Sequence, residues 1–146
     1  MKLSNIRFNG FYEIGEIDDE ELVGAIMATR YQGKWVLCRH KERDTWEIPG
    51  GKREPGEDIV QTAQRELFEE AGIIKSEIKP ICIYSVDVNG IIKFGLLCNV
   101  EALEFGDLPE SEIKEIKLFD EMPTNLTYPY TRENIIPKIL ENDANY

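Results

Sequence analysis

Between Asp58 and Gly72 the chain encodes a helix with both ends specified. Asp58 is a side-chain acceptor just ahead of the run, and Gln61 completes a capping box three residues on. Ile59 to Ala71 holds good helix formers and no glycine or proline. Gly72 stands where a left-handed residue closes a helix. At about 100° per residue, Val60, Ala63, Leu67 and Ala71 form an apolar stripe expected to face a sheet. Glu66, Glu69 and Glu70 share the adjoining arc, because positions three and four apart are helix neighbours. Glu57 adds a fourth acid just before the helix. Like charges so placed repel by a few tenths of a kcal/mol per pair, and a helix selected for stability alone would interleave lysines. A hard divalent cation relieves that repulsion, and clustered carboxylates suit Mg²⁺ or Mn²⁺. Arg65 can reach Glu69 one turn on and orient it. The plain alternative is a solvated acidic face.

Around this helix the pattern is one of strands. Glu21–Arg30 and Lys34–His40 read as a strand pair about a turn at Gln32-Gly33. Lys41–Asp44 is a charged loop, and Thr45–Ile48 runs into Pro49-Gly50-Gly51, which must leave a strand by an unusual path. Lys79–Val88 and Ile91–Ala102 flank Asn89-Gly90, a strong hairpin signal, and Ile113–Phe119 is a further strand. Thr131–Glu141 is helical, with Pro137 implying a late start or a kink. Strands interrupted by helices predict an α/β chain with a mixed sheet. Neither repeat nor linker divides residues 1–146, so a single domain is expected.

Charge and cysteine usage narrow the partners. Lys and Arg number 17 against 28 Asp and Glu, a net charge of −11. That acidity argues against duplex nucleic acid and anionic membrane. No apolar run is long enough for a transmembrane helix or a signal peptide, which predicts a cytoplasmic protein. Cys38, Cys82 and Cys98 are widely spaced among apolar neighbours, as reduced core thiols would be. With no paired-cysteine motif and His40 the one histidine, a zinc site is not expected.

From Gly51 the sequence runs Gly-x5-Glu57-x7-Arg65-Glu66-Leu67-x-Glu69-Glu70-x-Gly72-Ile73. This resembles the Nudix box at every fixed position. The preceding Trp46-Glu47-Ile48-Pro49-Gly50 and the internal Pro55-Gly56 also look like that family. The resemblance implies the Nudix fold, an α/β/α sandwich around a mixed sheet, and hydrolysis of a nucleoside diphosphate linked to another group. It implies that Glu66, Glu69 and Glu70 bind Mg²⁺ or Mn²⁺, that Glu57 supports them, and that the Gly50 carbonyl is a further ligand. The general base would be Glu66 or a loop acid, Glu110 or Glu112.

What is attached to the diphosphate must be read elsewhere. A proline marker of ADP-ribose hydrolases is missing near Val88-Asn89-Gly90, and Tyr84 comes too soon for the dinucleoside-polyphosphate marker. The stretch Leu118–Leu126 resembles the tail of bacillus-type 8-oxo-dGTP diphosphatases. A MutT-like enzyme acting on an oxidised purine nucleoside triphosphate is therefore the expected reading. The alternatives are an ADP-ribose, nucleotide-sugar or RNA 5′-end pyrophosphohydrolase, or a non-catalytic nucleotide sensor. Arg39, Lys41, Arg43, Lys52 and Arg53 are candidate phosphate grips, Arg39 and Lys52 foremost. Asn134 is either a purine reader, with Asn125 the second candidate, or a first-turn residue after a Thr131 cap. Phe8, Phe11, Tyr12, Tyr128 and Tyr130 could supply a base platform. Phe68 should lie exposed unless another segment or a second copy covers it, so the chain is expected as monomer or homodimer.

Overall fold

The computed structural model describes residues 5–144. Strands β1 (Ile6–Tyr12), β2 (Leu22–Tyr31), β3 (Lys34–His40), β4 (Gly50–Lys52), β5 (Ile73–Val88), β6 (Ile91–Phe105) and β7 (Ile113–Phe119) make one sheet. Its order is β1-β5-β6-β2-β3-β7, with β4 added beside β2. Only β2 and β6 run parallel; the other pairs are antiparallel. Both predicted turns carry left-handed central residues, Gln32 with Gly33 (φ 51° and 82°) and Asn89 with Gly90 (φ 53° and 85°), matching the twist of the strands they join.

Alternating side chains send consecutive residues to opposite faces of the sheet. Met27, Ile83 and Leu96 pack with Ala63, Leu67 and Ala71 of helix α1 (Ile59–Ala71). Their neighbours Ala28, Tyr84 and Leu97 pack with Ile136 and Ile139 of helix α2 (Ile136–Ala144). The sheet is thus enclosed between one helix on each face, as the α/β/α sandwich requires. All three cysteines are free and buried. No helix among the described residues is long and apolar enough to cross a membrane.

Helix α1 begins and ends as its sequence dictates. Asp58 accepts from the Gln61 backbone, Gln61 accepts in return from the Asp58 backbone, and Gly72 adopts φ 68°. Such a cap contributes about 1 kcal/mol. The buried stripe is rotated from the one expected: Ile59 and Thr62 are buried with Ala63, Leu67 and Ala71, while Val60 is 36% exposed. Phe68 is exposed, as expected.

Three elements depart from the sequence reading. β1 was not anticipated; it pairs with residues 83–88 of β5, far away in the chain. β5 begins at Ile73, directly after the αL glycine, rather than at Lys79. Pro80 fits within β5 because β1 reaches only as far as Ile83, leaving that edge of β5 without a ladder partner. Near the C-terminus, Thr131–Ile135 forms a π-helical turn in which the Ile136 N–H reaches Thr131 O. This wider turn admits the ring of Pro137, which an α-helical ladder would press against the carbonyl four residues back.

Candidate active site

β2 pairs with β3 only at Arg30–Trp35 and Tyr31–Lys34. Beyond that β3 diverges towards β7, and residues 46–52 fill the wedge. Glu47 exchanges backbone hydrogen bonds with Cys38, and Pro49 O accepts from Met27 N. Gly50 and Gly51 then pair with Ile26 and Ala25. A Cβ at Gly50 would lie 2.8 Å from Ala25 O, and one at Gly51 would lie 2.1 Å from Glu66 Cδ. Glycine is therefore required at both places for the strand and the α1 carboxylate to approach so closely.

The wedge opens a cavity of about 580 Å³. Its lining includes Glu66, Glu69 and Glu70 with Gly50, Gly51 and Lys52, together with Ile26, Tyr84, Val86, Tyr130 and Ile135, which belong to the apolar cluster on the α2 side of the sheet. His40, Arg43, Glu47 and Glu112 also line it. The side chains of Glu66 and Glu70 are 12% and 16% exposed, that of Glu69 46%.

Arg65 organises the acids. Its Nε donates to Glu57 Oε2 (2.6 Å), its Nη1 to Glu66 Oε1 (2.7 Å) and Glu69 Oε2 (3.1 Å), and its Nη2 to the Lys52 carbonyl (2.7 Å). Thr62 and the Glu54 N–H complete the shell of Glu57. Hydrogen bonding to Arg65, then to the Glu54 backbone, holds Glu57 down at about 2. Arg65 itself is pushed upward, chiefly by its bond to Glu57. Glu66 is shifted upward because burial outweighs its contact with Arg65. Glu70 lies outside that reach and accepts from Gly50 N at 2.8 Å. Burial, and then Glu66, Glu47 and Glu69, push it up to about 8 against that bond.

With Arg65 so placed, no three acidic, histidine or cysteine side chains among the described residues converge as a ready metal cage. The donor types still fit a hard dication. All are oxygens, they lie on one face of one helix, and the missing Cβ of Gly51 gives the Glu66 carboxylate room beside the strand.

Other sequence candidates are distributed unevenly. Lys52 lines the cavity, and Glu112 stands exposed at its rim. Glu110 is not among the lining residues. Neither is Arg39, which pairs with Glu115 (2.6 Å) and donates to Arg43 O. Asn134 is also absent from the lining, although its neighbours Thr131 and Ile135 are part of it. Thr131 does not cap the helix: Tyr130 holds the N-cap position without a side-chain bond, and Thr131 is buried.

The wall facing the glutamates escaped sequence reasoning. Glu47 is buried, yet it is ion-paired with Arg43 and accepts from Thr127 Oγ1 (2.9 Å). His40 Nε2 lies 3.4 Å from Glu47 Oε1 and 3.9 Å from Glu70 Oε2; its Nδ1 is 3.9 Å from Glu112 Oε2. The one signal in the sequence was a lone acid between Trp46 and Ile48.

Comparison with known proteins identifies the family. The model of the NUDIX domain matches residues 20–137. Bacillus subtilis YtkD, which carries the provisional name 8-oxo-dGTP diphosphatase, is 37% identical over 100 residues, 67% of this chain. The RNA pyrophosphohydrolase of Serratia proteamaculans is 36% identical over 66 residues, 43% of this chain. The chain spans 62% of the length of the first relative and 37% of the second. The crystal structure of the Bacillus subtilis pyrophosphohydrolase BsRppH superposes with a TM-score of 0.78, covering 94% of this chain and 90% of that one at 24% identity. A domain match over most of the chain, a box intact at every fixed position and a shared architecture agree: the chain belongs to the Nudix family.

Proposed function

We propose that this protein hydrolyses the P–O–P bond of a purine nucleoside triphosphate, of the oxidised kind exemplified by 8-oxo-dGTP, releasing the monophosphate and pyrophosphate with Mg²⁺ or Mn²⁺. One observation carries the reading: a single cavity joins a cluster of carboxylates to an apolar, aromatic end. The similarity to YtkD supports the same substrate class.

Glu66, Glu69 and Glu70, with the Gly50 carbonyl, would hold the metal. Bound there, it supplies neutralisation of polyphosphate charge and a more acidic water. Arg65 and Glu57 would set the rotamers of Glu66 and Glu69. Gly50 N holds one oxygen of Glu70, and the other lies 3.9 Å from His40 Nε2. Lys52 and Arg43 line the route a polyphosphate would take. Glu66 or Glu112 would accept the proton of the attacking water as the phosphorus–oxygen bond to the leaving group breaks.

An RNA 5′-end substrate is the second reading, favoured by the 66-residue similarity to an RNA pyrophosphohydrolase. The net charge of −11 weighs against a polyanionic chain. The test is a panel of nucleoside triphosphates, 8-oxo-dGTP, ADP-ribose and 5′-triphosphorylated RNA, assayed with Mg²⁺ and with Mn²⁺ for phosphate and pyrophosphate. Preferred release of pyrophosphate from the oxidised purine supports the proposal; no turnover of any diphosphate compound overturns it.

A further inference from the structure

Tyr84 sits on β5 directly opposite Gly95 of β6. A Cβ on Gly95 would lie 2.3 Å from the Tyr84 hydroxyl oxygen and 2.4 Å from its ring carbon. The phenol therefore lies across the bare glycine backbone. It is 9% exposed and forms part of the apolar end of the cavity. Its hydroxyl has no hydrogen-bond partner among the described residues. A buried tyrosine ordinarily satisfies its hydroxyl, and this one opens into space shaped for something else.

A second phenol, half-buried, stands near it. Tyr130 lines the same end and stacks on Tyr128, with ring centroids 5.4 Å apart at 27°. Arg43 bears electrostatically on the Tyr128 phenol, whereas the Tyr130 hydroxyl has no hydrogen-bond partner among the described residues. Burial first, and then Tyr84, push the Tyr130 phenol upward; burial does the same to Tyr84. Both stay uncharged at working pH, among Ile26, Val86 and Ile135. Neutral groups that both donate and accept, set in apolar walls, complement a flat, uncharged heterocycle with polar atoms on its edge. They offer no charge to a phosphate.

We infer that the Tyr84 hydroxyl, held across Gly95, hydrogen-bonds the polar edge of the substrate's nucleobase, with Tyr130 lending a second hydroxyl, and so determines which base is accepted. This rests on the proposed nucleotide activity but concerns the opposite end of the cavity. A site built to bond a polar edge discriminates by what is left unpaired when the edge is wrong.

Tyr84→Phe removes one oxygen and keeps the ring. Two measurements on this variant test the inference. The first is steady-state hydrolysis of the preferred nucleotide beside methyl triphosphate, which has the same reacting bond and no base. KM for the nucleotide should rise about tenfold, with kcat and methyl triphosphate hydrolysis within about twofold. Equal loss on both substrates, or no change on either, overturns the inference. The second is binding of phosphate-free nucleosides without metal, followed by tyrosine fluorescence. The wild type should bind its preferred nucleoside and Tyr84→Phe should bind it about tenfold more weakly. Absence of saturable nucleoside binding by the wild type overturns the inference. Nucleoside binding sensitive to Tyr84, with no nucleotide hydrolysed, would keep the inference and refute the enzymatic reading instead.

Discussion

Glu70 allows the metal-free state to be tested through protons. Its carboxyl is 16% exposed and sits at about 8, against an ordinary value of 4.5, because burial and neighbouring acids disfavour its charge. The folded-state value lies above the unfolded one, so between them the native chain binds a proton that the unfolded chain lacks. The resulting stability is complete below about pH 4.5 and is lost as pH rises through about 8. Each unit is worth at most about 1.4 kcal/mol, or roughly 4 kcal/mol between pH 5 and 8. Glu66, shifted the same way by burial, adds to the trend. Glu57, lowered to about 2, acts only in acid, where its stabilisation is lost as pH falls through that value. On the proposed coordination, a dication would displace the Glu70 proton. Below pH 8 its apparent affinity should therefore tighten by up to about tenfold per pH unit, flattening above pH 8. Calorimetric titration of Mn²⁺ at pH 6.5, in two buffers of different ionisation enthalpy, should count about one proton released per metal. Glu70→Gln should abolish that release. Binding independent of pH, or no proton released at pH 6.5, would refute the reasoning.

Three other perturbations have definite outcomes. Glu69→Gln changes a half-exposed side chain, so circular dichroism and melting should hold while metal-dependent turnover falls at least about hundredfold. Gly51→Ala puts a methyl 2.1 Å from Glu66 Cδ and should displace that carboxylate, which activity and Mn²⁺ binding would both register; unchanged metal affinity would speak against Glu66 as a ligand. Leu67→Ala empties a fully buried position under α1 and should cost about 2–5 kcal/mol, visible as a lower urea midpoint with the slope retained.

Local chemistry explains what was legible in the sequence. The Asp58–Gln61 box, the αL glycine and the two tight turns act within a few residues, and each formed as read. The acidic arc was also visible, being fixed by helical spacing alone. What stayed hidden depends on distant pairing. β1 exists because residues 83–88 offer it an edge, and β4 is three residues held in a wedge. The buried stripe turned from Val60 to Ile59 because the sheet, not the wheel, sets which side of α1 is covered. Glu47, His40 and Tyr84 carry no spacing signal; β3's divergence and the Tyr84–Gly95 register bring them to the cavity. Arg39 read as a phosphate grip from its position before the box, but Glu115 on β7 occupies it.

The Arg65 hub bears on how such a molecule comes into being. A cluster of carboxylates that could be neutralised only by metal would tie folding to metal supply. Here a cation encoded in the chain already satisfies Glu57, Glu66 and Glu69. The polypeptide can therefore reach its native state first and be loaded afterwards. On the proposed coordination, loading would be an exchange: an incoming ion would share Glu66 and Glu69 with a guanidinium that already positions them. That competition would raise the free-metal concentration needed for half-loading without making folding wait for the metal.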